Sequence, residues 1–446
     1  MTKPALHIAI PAMDEADYLP STMADLFAQQ IDRPVHIHVC VNQPEDYWQT
    51  HPDICENNRQ TLQWLHKLKA SGRPLHIIDR SSRGYGWKGK QRGVGMARKT
   101  LFQSILEKAS DQDLIVSLDA DTHVGPDYLQ HLVESFQAHP EALAMAVPYY
   151  HPLSGDRLEN WPFGPPTLRP GYIPSDKDQE IADRAILRYE IYMRCYHLNM
   201  LRIASPYAFT ALGSAIAFRC RSYRRIGGMI PAQSGEDFYL MQKFCKRGPI
   251  VQYGECCVYP SARFSTRVGF GTGPALIKGS QGDWSSYPIY PPALFDQVRQ
   301  AYDALPRLYR HDLDLPFLEF LASQFKDANL WQPLRENFKD LPHFVRAFHE
   351  KADALRILQF LKQSLRASAS SDTSTEAASL SDAQALDENL QLFTRCYADL
   401  LPEQMRPTLL SGFAPTRIEE APTSLLAQIR DQLFQMEMMA GKNACL

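Results

Sequence analysis

Asp119 and Asp121 stand one residue apart in VSLDADTHVGPDYL, residues 116–129, directly after an apolar run that reads as a buried strand. A strand end followed by a turn also favours Asp, whose side chain bonds to nearby backbone. The chemical alternative is a hard divalent cation. Mg²⁺ and Mn²⁺ prefer oxygen, take one or two carboxylates from protein, and fill the remaining positions with water and substrate phosphates. An ion held that way neutralises charge on a leaving diphosphate. The D-x-D pattern is common by chance, so its meaning depends on its company.

The elements around it alternate. Leu6 to Ile10 reads as a strand stopped by Pro11, followed by a helix from Asp17 to Gln30 with Leu19, Met23, Leu26 and Phe27 on one side. Strands are expected at 35–41, 75–78, 113–118 and 142–147, with helices at 61–69, 90–108 and 126–139. That is the β-α-β-α signature of a doubly wound, mostly parallel sheet. Ligands bind such sheets at the carboxyl ends of the strands. Asp119 and Asp121 lie at one such end, and Pro11 to Glu15 and Asn42 lie at others. A Pro/Gly/aromatic-rich loop spans 151–175, long enough to suggest function. A helix at 178–202, a strand at 214–218 and a helix at 235–246 follow. From about residue 291 helical periodicity runs to the end, broken by a Ser/Thr/Ala-rich linker at 364–385.

Composition narrows the classes. The chain has 446 residues, 44% hydrophobic, with net charge −3, so nothing marks it for nucleic acid or an anionic membrane. No apolar run approaches the roughly 20 residues that span a bilayer. The N-terminus has no long apolar segment and meets acidic residues by Asp14, unlike a signal peptide. Nine cysteines without a CxxC pair suggest free thiols in a reducing cytoplasm.

Four segments in order carry a resemblance. IAIPAMDEADYLPSTMADL is similar to the opening of family-2-type glycosyltransferases of the GT-A fold, where a strand ends in a Pro-x-x-Asn-Glu-like turn. VSLDADTHVGPDYL resembles their metal-binding D-x-D segment. LGSAIAFRCRSYRRIGGM resembles their acceptor-side strand and Gly-Gly turn, and SGEDFYLMQKF their Glu-Asp catalytic segment. The likeness runs from residue 5 to about 270. The resemblance implies a GT-A domain (Rossmann-like, mostly parallel sheet flanked by helices) over 1–290. Its nucleotide-sugar half would cover about 1–150 and its acceptor half about 151–290, before an α-helical C-terminal region at 291–446. Three departures stand out. Asp14 replaces the usual Asn, Asn42 stands where a double Asp is common, and no Gln-x-x-Arg-Trp segment occurs. The last argues against the processive membrane polymerases of the family.

The resemblance implies a Mn²⁺ or Mg²⁺ cofactor on Asp121, with Asp119 on metal or ribose. Pro11, Ala12, Asp14 and Glu15 would line the nucleotide, although acidic residues there also suit a helix N-terminus. Asn42 would read base or ribose, or is a turn Asn. The basic, Gly-rich RSSRGYGWKGKQRGVGMARK suits a diphosphate, with Lys90 and Arg92 as its contacts. Arg92 with Gly95 resembles the family's Ala-Arg-Asn-x-Gly. Ala120, Gly213 and Ser214 would touch substrate. Asp237 would be the base that takes the acceptor hydroxyl proton, on a helix whose Phe238, Met241 and Phe244 face the core. Glu236 would orient the acceptor, or is merely exposed. Arg263 and Arg267, followed by glycines, would close over the diphosphate, or are solvated loop residues.

These readings make the chain a cytoplasmic, metal-dependent inverting glycosyltransferase. Its partners would be a nucleotide-diphospho-sugar donor and an unidentified hydroxyl acceptor, with homo-oligomerisation through the C-terminal helices left open. Two alternatives compete. A sugar-nucleotide nucleotidyltransferase shares the architecture but usually carries a Gly-rich basic signature after the first strand, where this chain has Pro11-Ala12-Met13-Asp14. A non-catalytic nucleotide-sugar-binding protein would not need Asp121 and Asp237 intact.

Overall fold

The computed structural model describes residues 3–89, 92–154, 156, 162, 177–231, 235–252, 254–265, 271–371 and 421–444. Lys90, Arg267, most of the 151–175 loop and most of the 364–385 linker lie outside these. Contacts along the chain divide the described residues into two units. One comprises 3–186, 210–277 and 441–444, and the other 187–209 and 278–440. Sequence character changes near residue 290, where a division is expected. The second unit takes in Leu187–Phe209 and begins its C-terminal stretch at Lys278.

The first unit is a mixed α/β body around a mostly parallel sheet. In chain order the strands are β1 (Leu6–Ala12), β2 (Val35–Asn42), β3 (Leu75–Arg80), β4 (Leu114–Ser117), β5 (Thr122–Val124), β6 (Ala144–Ala146), β7 (Ile216–Arg219), β8 (Ile250–Val251) and β9 (Val258–Pro260). Seven form one sheet in the order β3-β2-β1-β4-β7-β6-β8. The β1–β2, β2–β3, β1–β4 and β6–β8 pairs are parallel, and β7 runs antiparallel to β4 and β6. Every residue of β1 is buried, as expected of a strand covered on both faces. β1 continues through the expected stop at Pro11 to Ala12, two residues past Ile10. Its ladder to β4 ends at Ala9–Ser117, so Pro11 is paired only with β2 and its missing N–H costs no bond on the β4 side. The chain leaves β1 for β2 on one side and pairs β1 with β4 on the other. That is a topological switch point, and open α/β sheets bind ligands beyond the carboxyl ends of the strands at such a point.

An aromatic cluster ties together the helices and strand around the switch point. Phe102, on the helix Val94–Leu106, meets Phe218 of β7 edge-on at 5.2 Å. Phe218 in turn packs 5.3 Å from Phe244, on the helix Glu236–Cys245. Such pairs contribute ~0.5–1.5 kcal/mol beyond area burial. Leu240, Met241 and Phe244 are the core face of that helix, whereas Phe238 is only half-buried. β5 and β9 form a separate two-stranded ribbon, and the helix Pro52–Ala70 begins well before the expected residue 61.

On the opposite half of the sheet, four imidazoles share one face. His7 stacks on His36 at 5.2 Å, His38 stacks on His76 at 4.5 Å, and His7 Nδ1 lies 3.2 Å from His38 Nε2. Burial, reinforced by His76 and His7, pushes His38 down to about 3. Burial also lowers His7, although Asp113 opposes it. Above the ordinary His value near 6.5, both folded and unfolded chains hold His38 neutral. Below it the unfolded chain takes a proton that the folded chain refuses until about pH 3. Stability therefore falls as pH drops through that window, by ~1.4 kcal/mol per pH unit for one such His. Between pH 7 and 5, urea unfolding should show a loss of about 2 kcal/mol assignable to His38. His38→Leu should reduce the pH slope by about 1.4 kcal/mol per pH unit, the share of one such His, and an unchanged slope would contradict this assignment.

The second unit is helical. Its core includes Phe295, Phe317, Phe344, Phe348, Ile357, Leu361, Leu426 and Leu433. A buried charge network runs through it. Arg194 donates from Nη2 to Glu190 at 2.7 Å and from Nη1 to Glu437, whose other oxygen lies 2.8 Å from His197 Nδ1. Each buried charge here has an opposite neighbour, as buried charges require. No helix among the described residues is long and apolar enough to cross a membrane.

Candidate active site

The turn after β1 is tightly fixed. Asp14 adopts a left-handed backbone (φ 61°), which a short polar residue tolerates. Its N–H donates to Asn58 Oδ1 at 2.9 Å, and the N–H of Ala16 donates to Asn57 Oδ1 at 3.0 Å. The backbone N–H groups of Tyr18 and Leu19 both donate to the Glu15 carbonyl. Glu15 is 4% exposed. Asn42 is buried too. It accepts from Trp87 Nε1 at 3.1 Å and donates to the Ala12 carbonyl at 3.0 Å. Its amide therefore ties the ends of β1 and β2 to Trp87.

The Asp119–Asp121 turn beyond β4 is pinned as well. Thr22 donates its hydroxyl to the Ala120 carbonyl at 2.8 Å, and Ser261 N–H donates to the Asp121 carbonyl at 3.2 Å. The two carboxylates then diverge to two different arginines.

Asp121 meets Arg263. The guanidinium donates from Nε to Asp121 Oδ2 at 2.8 Å and from Nη2 to both oxygens of Glu15, at 2.6 and 2.8 Å. The same Nη2 is 2.7 Å from Asp121 Oδ2. Tyr18 covers the guanidinium, its ring centroid 3.9 Å from Cζ, a cation–π contact. Glu15 and Asp121 thus converge on one positively charged nitrogen.

Asp119 meets Arg98, a residue the sequence analysis passed over. Arg98 is 4% exposed. It donates from Nη2 to Asp119, from Nη1 to Glu236, and from Nε to Ser117 Oγ at 3.3 Å. Ser117 Oγ donates onward to the Gly213 carbonyl at 2.7 Å. A Cβ on Gly213 would lie 2.0 Å from the Arg98 guanidinium, so only glycine leaves room there. Burial works against the charge of Arg98. Asp119, Glu236 and Asp237 outweigh it and hold the guanidinium protonated.

Gly235, with φ 74°, turns the chain sharply into the helix Glu236–Cys245. Glu236 is buried and committed to Arg98. Asp237 follows it in the first turn. Desolvation, then the neighbouring Glu236 carboxylate, push Asp237 up to about 7, with Arg98 opposing them. Asp237 itself is half-buried. Two adjacent acids with separate environments, one neutralised by arginine and one titrating near neutrality, suit a base assignment to the second.

The structure therefore brings together Glu15, Asp119, Asp121, Gly213, Glu236, Asp237 and Arg263 at the strand ends. Pro11, Ala12, Ala120 and Ser214 are buried beside them in sequence. Arg92 is elsewhere engaged, exposed and 3.3 Å from Asp46. Among the described residues, no three His, Cys, Asp or Glu side chains form a group that could hold a metal ion.

No protein-family model and no curated protein sequence matches the chain. Among solved structures it is similar to S. aureus TarS 1–349 in complex with UDP-GlcNAc. That match has 12% identity over 99% of this chain and 92% of that one, with a TM-score of 0.37. It is also similar to the mannosyltransferase PcManGT from Pyrobaculum calidifontis in complex with GDP-Man and Mn²⁺. There the identity is 14% over 98% of this chain and 88% of that one, with a TM-score of 0.36. Likeness at this level assigns neither a family nor a ligand.

Proposed function

We propose that this chain is a metal-dependent, inverting glycosyltransferase that moves a sugar from a nucleotide-diphospho-sugar to a hydroxyl acceptor. The observation that carries this reading is the pair Asp119 and Asp121 at the switch point, with Asp119 joined through Arg98 to Glu236, the neighbour of Asp237. Asp237 accepts the proton of the acceptor hydroxyl as that oxygen attacks the anomeric carbon. Glu236, held by Arg98, keeps the helix end in place and adds the negative charge that makes Asp237 a stronger base. Asp121 suits a divalent cation, because with Glu15 it already holds a cationic nitrogen at 2.6–2.8 Å. The remaining ligands would be substrate oxygens and water, the usual arrangement for Mg²⁺. When bound, the ion would neutralise charge on the leaving diphosphate. Asp119 has an oxygen engaged by Arg98 and serves in this reading to fix the turn.

Arg263 has two roles in this scheme. Without ligand it neutralises Asp121 and Glu15. With a nucleotide diphosphate present it turns to the phosphates, which offer it charge-assisted bonds worth ~1.5–3 kcal/mol. Arg263→Gln should therefore raise the affinity for Mn²⁺ alone and weaken binding of nucleoside diphosphate plus Mn²⁺ by roughly tenfold or more. Calorimetric titrations showing both affinities unchanged would remove Arg263 from the donor site.

The donor can be found by a thermal-shift panel of nucleotide-sugars with and without Mn²⁺. A ligand that binds only the folded chain raises apparent stability as RT ln(1 + [L]/Kd). One nucleotide class should stand out, and only with the metal. A panel with no responder would count against the reading.

A further inference from the structure

Resting on the functional reading above, we propose that Arg98 is a positioning residue that locks the Asp119 turn and the Glu236–Asp237 helix end into one frame. One planar guanidinium reaches both carboxylates and Ser117 at once. Its two carboxylate partners belong to segments more than a hundred residues apart. Ser117 carries the same link to the Gly213 carbonyl, just before β7. Three elements that must agree in position for transfer, one after β4, one before β7 and one opening the base helix, thus meet at a single buried side chain. Guanidinium is suited to this, with five donors in a fixed fork, whereas an ammonium group is a point charge that cannot hold that plane. Gly213 completes the device, since its missing side chain is the space the guanidinium fills.

The test uses the full chain with Arg98→Ala and Arg98→Lys. Three quantities are measured: affinity for nucleoside diphosphate plus Mn²⁺, single-turnover transfer, and amide hydrogen exchange over 117–121 and 235–240. Arg98→Ala should bind the diphosphate within about threefold of the parent but transfer at least about a hundredfold more slowly. Methylguanidine added at millimolar concentration should recover tenfold or more of that rate, and Arg98→Lys should not. Amides of both segments should exchange at least tenfold faster in Arg98→Ala, and slow again with methylguanidine. A rate within threefold of the parent overturns the proposal. So does a slow, folded variant that methylguanidine does not rescue, because that is the mark of a purely structural arginine. If Arg98→Ala does not fold, Gly213→Ala decides, since it displaces the same guanidinium. It should show the rate loss with diphosphate affinity kept, and a parental rate overturns the proposal. The exchange measurement needs no substrate. If the parent binds no nucleotide, the functional reading falls while the exchange result still decides whether Arg98 couples the two segments.

Discussion

Asp237→Asn should slow transfer by about 10²–10⁴, the usual effect of removing a general base, or roughly 3–5 kcal/mol in the barrier. Asparagine keeps the shape and a hydrogen-bonding group and loses only the basic oxygen. Nucleotide affinity should change little, because the base acts on the acceptor hydroxyl. The pH dependence follows from the raised carboxyl. Asp237 titrates at about 7, so it is protonated and unable to accept a proton below that pH. The parental single-turnover rate should therefore fall as pH drops through 7, and the Asp237→Asn rate should be nearly flat there. A variant rate within threefold of the parent, ~0.7 kcal/mol, would remove Asp237 from the mechanism.

Asp121→Asn should behave differently, losing affinity and rate together. Asp121 is 14% exposed and meets Arg263, which also holds Glu15; in this reading Asp121 and Glu15 would hold a divalent cation that neutralises diphosphate charge. Losing a charged ligand of that kind costs ~1.5–3 kcal/mol, so Mn²⁺-dependent affinity for nucleoside diphosphate should fall roughly tenfold to a hundredfold. The metal-free affinity should be nearly unchanged. Equal Mn²⁺-dependent affinity in parent and variant, measured by calorimetry, would refute the metal assignment. The two variants together separate the donor side of the site from the base.

The alternation of strands and helices was legible because the main strands are short runs rich in Ile, Val and Leu between helical stripes. β5 and β9 were not, since three residues each are too few to show a period. The first turns of the helix Pro52–Ala70 were hidden by polar Asn57 and Asn58, which serve the turn after β1 rather than a core. Asp119, Asp121, Glu236 and Asp237 could be found as motifs because their neighbours in sequence carry the pattern. Arg98 could not, because its partners lie 21 and 138 residues away. One signal was available. Arg98 shares a helical face with Phe102 and Ile105, both buried, and an arginine on an apolar stripe needs a buried anion. Asn42 shows the converse, a residue at a strand end whose amide is used inside the fold.

The most direct test of glycosyl transfer with inversion is the first-formed product of the donor identified by binding, followed by NMR with Mn²⁺ present and water as the acceptor. The account predicts free nucleoside diphosphate together with a sugar whose anomeric configuration is opposite to that in the donor, formed by the parent and not by Asp237→Asn. Retained configuration, or pyrophosphate released from a nucleoside triphosphate and a sugar phosphate, would contradict it.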